Sequence, residues 1–552
     1  MSEFHFSPRP NRAAEIRWRP WSAEAFDEAK AGDRPILLSI SAVWCHWCHV
    51  MDETTYSTDG VIDLVNREYV PVRVDNDVRP DINQRYNMGG WPTTAFLTPQ
   101  GDILTGFTYV PPEQMTDALA KVAAFYRTNK PEIVARVLEG RKRAATTVAA
   151  SAGSLEPGLV DRLLGNVETA YDNEHGGFGT APKFPQTDAI ALLAEQSVLR
   201  GEPSLMEMAR HTLAKMAGGG TYDHVEGGFF RYSTTADWSV PHFEKMLEDH
   251  GGLIAALATT GQAEILDDAT RYLDTVLRDP ETGLYAGSQD ADEEYFAQDA
   301  AGRRERTAPY VDRRVYAAWN CGLAVAYLWA DLWLGRAALR ERAAALLDRL
   351  FADLWTPDGG MRHTVDAGGQ LGDQVWALWA AVRAAATLGE PWRARALALA
   401  AHLEARYADP ELHGYFDRAA GDELGRLEER IKPLAENSIA AIALTELDAL
   451  AGDPALGLRA RAQRTLASVA ALPRRYGTMA AVFARALDRA LREPVKLTTL
   501  DPDLARALLG AYPYAMIERA GDERGTLCVG TTCLAPTASA EELIASVTAS
   551  RA

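Results

Sequence analysis

Along the first 140 residues, short apolar runs alternate with amphipathic stretches. Residues 35–41 and 70–74 read as buried strands, and 94–97 and 103–107 flank the turn Pro99-Gln100-Gly101-Asp102 as a hairpin would. A helical period over 23–31, 45–66 and 112–128 predicts three helices around them. From Glu156 onward strand signals almost vanish and Ala- and Leu-rich helices follow one another, near 158–171, 187–200, 203–217, 242–260, 263–278, 310–334, 337–353, 371–388, 391–407, 434–451, 455–470 and 474–491. The last stretch mixes again, with short strands at 494–497, 514–517 and 526–529 and a closing helix at 540–548. Three segments are expected: 1–140, 155–490 and 491–552. The strand-rich tail is expected to join the sheet of the first segment.

Between the helices a motif recurs. Asp172-Asn173-Glu174-His175-Gly176-Gly177-Phe178 returns as Asp223-His224-Val225-Glu226-Gly227-Gly228-Phe229. Weaker copies are Asp279-Pro280-Glu281-Thr282-Gly283-Leu284-Tyr285, Asp358-Gly359-Gly360-Met361 and His413-Gly414-Tyr415-Phe416. The copies lie about one helix pair apart, and a repeat of that length means stacked units sharing one core. Six helical hairpins close into an (α/α)6 toroid, its inner helices lining a funnel and its turns rimming the mouth. The fold class is therefore multidomain, an α/β module followed by an all-α toroid and a small α/β tail.

At 552 residues, 47% hydrophobic and 24% charged, the chain is a globular protein of more than one domain. Its net charge of -19 argues against nucleic acid and anionic membranes as partners, but leaves neutral sugars open. No secretory signal or membrane span is legible, and five cysteines are too few for a disulfide scaffold. A cytoplasmic location is expected.

The run Cys45-His46-Trp47-Cys48-His49 follows the first strand and opens a helix. A helix N-terminus stabilises a thiolate on Cys45, and Cys48, one turn on, can resolve a mixed disulfide. Protonated His46 and His49 would raise the thiolate fraction further. Strand, dithiol, strand, hairpin and closing helix make a thioredoxin-like fold. Trp91 and Pro92, in Gly90-Trp91-Pro92-Thr93, sit where that fold carries a cis-proline opposite the dithiol, and are candidate binding residues. Three other readings stay open: c-type haem attachment, a zinc half-site completed by Cys528 and Cys533, and a dithiol that merely packs. No cofactor is expected, zinc at Cys45/Cys48 being a minor alternative. Cys528 and Cys533 read as a second redox pair or as two ordinary buried cysteines.

The motifs Cys45-His46-Trp47-Cys48-His49-Val50-Met51, Arg79-Pro80-Asp81 and Gly89-Gly90-Trp91-Pro92-Thr93 give residues 9–127 a specific resemblance to the thioredoxin-like domain of the spermatogenesis-associated protein 20 family, a domain of unknown function. The resemblance continues to Ala552. It covers Thr221 to Tyr232, Pro241 to Asp249, Ser288 to Asp292, Lys432 to Ser438 and Pro182-Lys183-Phe184-Pro185, and fails after Asp292, where this chain is short. The toroid resembles six-hairpin glycosidases and the N-acylglucosamine and cellobiose 2-epimerases.

Two chemistries suit these polar blocks. Pro241 is expected to open a helix that sets residues 242, 245 and 249 on one face, with Glu244 and Glu248 beside them. In an epimerase or isomerase, His242 is the candidate base, His224 the second acid/base, Arg231 the group that steadies an enolate, and Trp238 the ring that stacks on the sugar. In a glycoside hydrolase, Asp290 or Asp292 would pair with Asp223 or Glu244. Asp223, Lys183, Glu436 and Asn437 are candidate binding residues, while His211 and His402 read as structural. The functional expectation is a sugar epimerase or isomerase with a redox or regulatory module. The alternatives are a thiol–disulfide oxidoreductase whose barrel binds a client or glycan, a glycosidase, and a non-catalytic scaffold. Expected partners are a sugar or glycan, a thiol reductant and a client protein.

Overall fold

A computed structural model describes the backbone of residues 4–149, 151–421 and 424–549, and the side chains of all of these except 143–149, 157 and 549. Its contacts divide the chain into two compact units. The first is Met1–Ala150 with Asp290–Asp292 and Ala420–Ile431; the second is Ser151–Gln289, Glu293–Ala419 and Lys432–Ala552.

The first unit is built on a four-stranded sheet in the order Val70–Asp75, Ile36–Ser41, Thr93–Leu97, Ile103–Phe107. The first pair is parallel and the others antiparallel. Ile36–Ser41 is buried at every position, so its unbroken apolar run is what a strand covered on both faces requires. One face packs on Trp21, Phe26, Ile82 and Tyr86, the other on Met51, Tyr56, Val65 and Leu119. This is the thioredoxin-like module. The helix expected over 45–66 is divided into His46–Glu53, a 3-10 turn Thr55–Ser57 and Asp59–Glu68. Threonines cause the break: the Thr54 and Thr58 hydroxyls turn back on the carbonyls of Val50 and Thr54, and Thr55 donates to Val110 instead. Helices Pro80–Tyr86 and Lys130–Ala149 carry no signal that the periodicity had picked out. Residues 424–431 close the Trp21 side, burying Leu427 and donating the Arg426 amide to the Tyr86 hydroxyl at 2.8 Å. Gly425 sits there at φ 60°, where a Cβ would lie 2.7 Å from that hydroxyl.

In the second unit six inner helices contact one another in a closed ring: Thr187–Arg200, Leu247–Thr260, Ala317–Leu334, Leu371–Leu388, Leu434–Ala451 and Ala481–Leu491, the last returning to the first. Outside them pack Pro157–Ala170, Pro203–Gly218, Ala263–Tyr272, Ala337–Leu354, Trp392–Arg406 and Leu458–Val469. This is the (α/α)6 toroid that the repeat implied.

The recurring turns have a common construction. In each, the backbone amide after the glycine is held by a side chain from a following helix. The acceptors are Thr212 for Gly177, His250 for Phe229, Asn320 for Tyr285, Gln374 for Met361 and Asn437 for Tyr415, at 2.8–3.0 Å. Three turns add a buried lysine. Asp172, Asp223 and Asp409 each cap the turn amides with one oxygen and accept Lys183, Lys245 and Lys432 with the other, each at 2.7 Å.

The C-terminal halves of four inner helices are tied by buried ions. Arg489 bridges Glu195 at 2.7 Å and Glu446 at 2.6 Å, and Arg383 and Trp379 also bond Glu446. Buried charges survive only when paired and hydrogen-bonded, as these are.

The tail corrects an expectation. Residues 491–552 do not join the sheet of the first unit but form their own, in the order Met516–Glu518, Val495–Thr498, Thr526–Val529, Thr532–Cys533. Leu497, Leu508 and Leu527 share the toroid core, and the Arg519 amide donates to Ala386 at 2.8 Å. A helix at Pro502–Ala511, missed by the sequence reading, lets the tail cover its own sheet. Among the described residues no helix is long and apolar enough to cross a membrane.

Candidate functional site

Cys45 is the N-cap of His46–Glu53, and its sulfur accepts the amide of Cys48 at 3.2 Å. The two cysteines are joined as a disulfide, with Cα atoms 5.2 Å apart. Such a cap places the sulfur where unpaired amides and the helix dipole favour a thiolate. Cys45 and Cys48 are both buried, at 4% and 2% exposure. Trp44 anchors the approach by donating to Asp77 at 2.7 Å, and its ring stands 5.5 Å from that of Trp91. The Trp91–Pro92 bond is cis, and Trp91 donates to Asn83 at 3.2 Å. Beside them Trp47 is 48% exposed and leans on Tyr109, offering an apolar surface next to the sulfurs.

His49 departs from its expected role. It is buried, and burial with the positive neighbours His5, His46 and Arg73 pulls its pKa to about 3. It is neutral at pH 7 and supplies no charge to Cys45. Within the same unit, Asp290 lies 3.6 Å from His49 Nδ1, and Asp292 belongs to that short segment.

In the second unit, residues 241–249 are not one helix. Pro241–His242 pairs with Tyr232–Ser233, Lys245–Met246 pairs with Ser288–Gln289, and the helix starts only at Leu247. Two short bridges use the backbone groups that a helix would have consumed, so the expected common face of 242, 245 and 249 does not form.

Several candidate residues are occupied by the scaffold. Trp238 has no exposed surface, donates to the His175 carbonyl at 3.0 Å and packs against Lys183. It has no face to offer a sugar. Asp223 is bonded at 2.7 Å by both Lys245 and Arg303; burial pushes its pKa up, but these two cations overcome it and hold it at about 2. Lys183 spends its ammonium on Asp172, Gly176 and Ala236. Asn437 holds both the amide and the carbonyl of Tyr415. His224 is exposed, with its ring on the Gly219 carbonyl at 3.0 Å.

Other groups do converge. His242 Nδ1 is hydrogen-bonded to Glu244, whose second oxygen is 3.7 Å from Arg231. The His242 ring stacks on Tyr232 at 4.9 Å, and Tyr232 stacks on Phe184, which is 40% exposed. Phe184 and Tyr232, rather than Trp238, are the aromatic faces beside His242. Asp249, which the sequence placed with 242 and 245 but gave no role, is raised by burial to about 7, with Glu248 and Glu244 adding to the rise and Arg231 opposing it. The crowded protein around it also raises the half-buried Glu436 to about 7, helped by Asp417 and Glu248, and raises Glu248, although that residue keeps exposed surface. Glu248 and Glu436 begin the second and fifth of six inner helices, so carboxyls from opposite sides of the ring repel one another across its lumen. A charged residue on an otherwise apolar inner helix was the available signal for Asp249.

Cys528 and Cys533 are also disulfide-bonded, Cα atoms 4.0 Å apart, on neighbouring strands of the tail. They are not buried: Cys533 is exposed and Cys528 half-buried. Cys321 is the buried free thiol. Among the described residues no three His, Cys, Asp or Glu side chains gather as a metal site.

Residues 9–143 match the family described as Thioredox_DsbH, protein of unknown function, DUF255. The chain is similar to spermatogenesis-associated protein 20 of Homo sapiens, 33% identical over 311 residues, and to that of Rattus norvegicus, 35% identical over 310 residues. Each match covers 50% of this chain and 39% of the relative, so the chain matches about two fifths of their length. Among solved structures, cellobiose 2-epimerase from Spirochaeta thermophila DSM 6192 is 18% identical at a TM-score of 0.44, over 64% of this chain and 96% of that one.

Proposed function

We propose that the chain is a thiol–disulfide oxidoreductase acting through Cys45 and Cys48. The observation that carries this is the seating of Cys45 as the cap of His46–Glu53, its sulfur facing the Cys48 amide. In the reduced protein the Cys45 thiolate attacks one sulfur of a client disulfide, and the other client sulfur leaves as thiolate. The Cys48 thiol loses its proton to solvent and attacks Cys45 Sγ, releasing the second client thiol and leaving the Cys45–Cys48 disulfide. A thiol reductant restores the dithiol. Trp47 and Trp91 fit a client chain carrying apolar side chains next to its disulfide.

Reduction of insulin disulfides with dithiothreitol as electron source tests this reading. The full chain is expected to accelerate turbidity, Cys45→Ser to abolish the effect, and Cys48→Ser to accumulate a mixed disulfide at Cys45. A wild-type rate equal to dithiothreitol alone would overturn it.

A second reading for the toroid rests on His242. Held by Glu244, beside Arg231 and the Tyr232–Phe184 stack, it suits removal of a proton alpha to a sugar carbonyl. Arg231 would steady the enolate, and the carboxyls of Asp249 and Glu436, protonated in part near neutrality, would return a proton. Proton NMR of free hexoses and N-acylhexosamines in deuterated water tests it. Exchange that vanishes in His242→Ala supports the reading, and no exchange in any sugar removes it.

A further inference from the structure

We propose that Cys528–Cys533 is a second thiol–disulfide centre, opened and closed by exchange with a dithiol, rather than a structural cross-link. It lies on the hairpin Thr526–Val529 and Thr532–Cys533, at the edge of the tail sheet. The whole run 530–536 is exposed, with Leu534 at 41%. A nucleophile therefore reaches Cys533 without any part of the fold opening. Exposed disulfides are the labile ones, whereas structural bridges sit in cores.

The bridge also stabilises less than a cross-link closing a long loop would. Its cysteines face each other across a hairpin whose register the Leu534 to Leu527 amide bond at 2.9 Å already sets. A cross-link closing so short a loop removes little entropy from the unfolded chain.

The neighbours favour exchange. Lys496 stands opposite Cys528 in the adjoining strand, hence on the same face of the sheet as both sulfurs. Its ammonium pairs with Glu518 at 3.1 Å, on the strand that flanks Val495–Thr498 on the other side. The register still sets a lysine cross-strand from Cys528, so a positive charge lies one strand away from the thiolate that forms there.

The steps balance as follows. A thiolate of the attacking dithiol bonds to Cys533 Sγ; the Cys528–Cys533 bond breaks and Cys528 leaves as thiolate beside Lys496. The second thiol of the dithiol then attacks its own bound sulfur and releases Cys533. Two electrons and two protons pass to the pair, and the dithiol becomes a cyclic disulfide.

The full native chain is incubated with reduced dithiothreitol, quenched with N-ethylmaleimide, and labelled cysteines are mapped by mass spectrometry. Cys528 and Cys533 are expected to label while Cys321 stays unlabelled and the far-UV spectrum is unchanged; oxidised dithiothreitol should close the pair again. Labelling that arrives only together with Cys321, on unfolding, would overturn the proposal. Cys45→Ser/Cys48→Ser is expected to label alike, because dithiothreitol itself is the reductant, so this outcome is independent of the first dithiol. Lys496→Met is expected to open several-fold more slowly with its fold intact; an unchanged rate would overturn the assignment of Cys528 as leaving group.

Discussion

The helix start at Cys45 and the turn at Asp223 are both polar points in apolar surroundings, yet they are built to opposite ends. Around Asp223 each strong donor and acceptor is matched: one oxygen caps the turn, the other takes Lys245 and Arg303, and Lys245 also reaches the Gly227 carbonyl. Around Cys45 the sulfur is bonded to Cys48 Sγ, and reduction leaves it beside a helix dipole with one amide to hold it. A saturated polar cluster rigidifies the fold, while an unsaturated one keeps reactivity available. By that measure the Lys183 and Lys245 turns are scaffold. The sites proposed for chemistry are Cys45/Cys48 in the first unit and, in the second, the His242 group with the opposed carboxyls.

The largest test of this contrast removes a partner from the saturated site. Lys245 and the Asp223 side chain are both fully buried, so Lys245→Met leaves Asp223 with Arg303 as its remaining cation and takes the ammonium donor from the Gly227 carbonyl. A loss of about 1–3 kcal/mol is expected in denaturant unfolding of the toroid, less than for a buried charge left wholly unpaired. Adding Asp223→Asn should recover part of it, because Arg303 keeps Glu226 at 3.2 Å. A loss confined to activity, with stability unchanged, would mean that the turn is not scaffold.

A smaller effect is expected at the unsaturated carboxyls, and its sign is fixed. Asp249 and Glu436 bind protons more tightly when folded, at about 7, than in the unfolded chain, where carboxyls titrate near 4. Their contribution is full below pH 4 and is lost as pH rises toward 7. Asp249→Asn should therefore match the parent at pH 4 and exceed its stability at pH 8, as read by thermal unfolding at both values. Equal stability at both would contradict the burial assigned to this group.

The smallest expected effect is at His49. Neutral near pH 7 and buried, it adds no charge beside the dithiol, so His49→Gln should leave the alkylation midpoint of Cys45 in place. A clear upward shift would restore the electrostatic role that the sequence suggested.

Much of the architecture was legible because it depends on local spacing. The hairpin, the helix Pro112–Thr128 and the dithiol at a helix start follow from residues a few positions apart, and the toroid follows from the return of the glycine turn. What failed depended on distant partners. Trp238 looked like a sugar platform until its indole was found on His175, 63 positions away. Asn437 looked like a binding residue until it was found holding Tyr415, 22 positions away. The start of the helix at Leu247 was hidden because the preceding residues pair with strands contributed from 232–233 and 288–289. Polar residues in a motif announce that something must be satisfied, and only the fold shows whether a neighbour already does it.

The most direct test of the central claim is the rate of iodoacetamide alkylation of the fully reduced chain against pH, with Cys45 and Cys48 resolved by mass spectrometry. A capping sulfur with a helix dipole behind it should alkylate first at Cys45, with a midpoint clearly below the value of about 8.5 for a free thiol. A midpoint at or above that value, or reaction at both sulfurs alike, would contradict the account and leave the pair as packing.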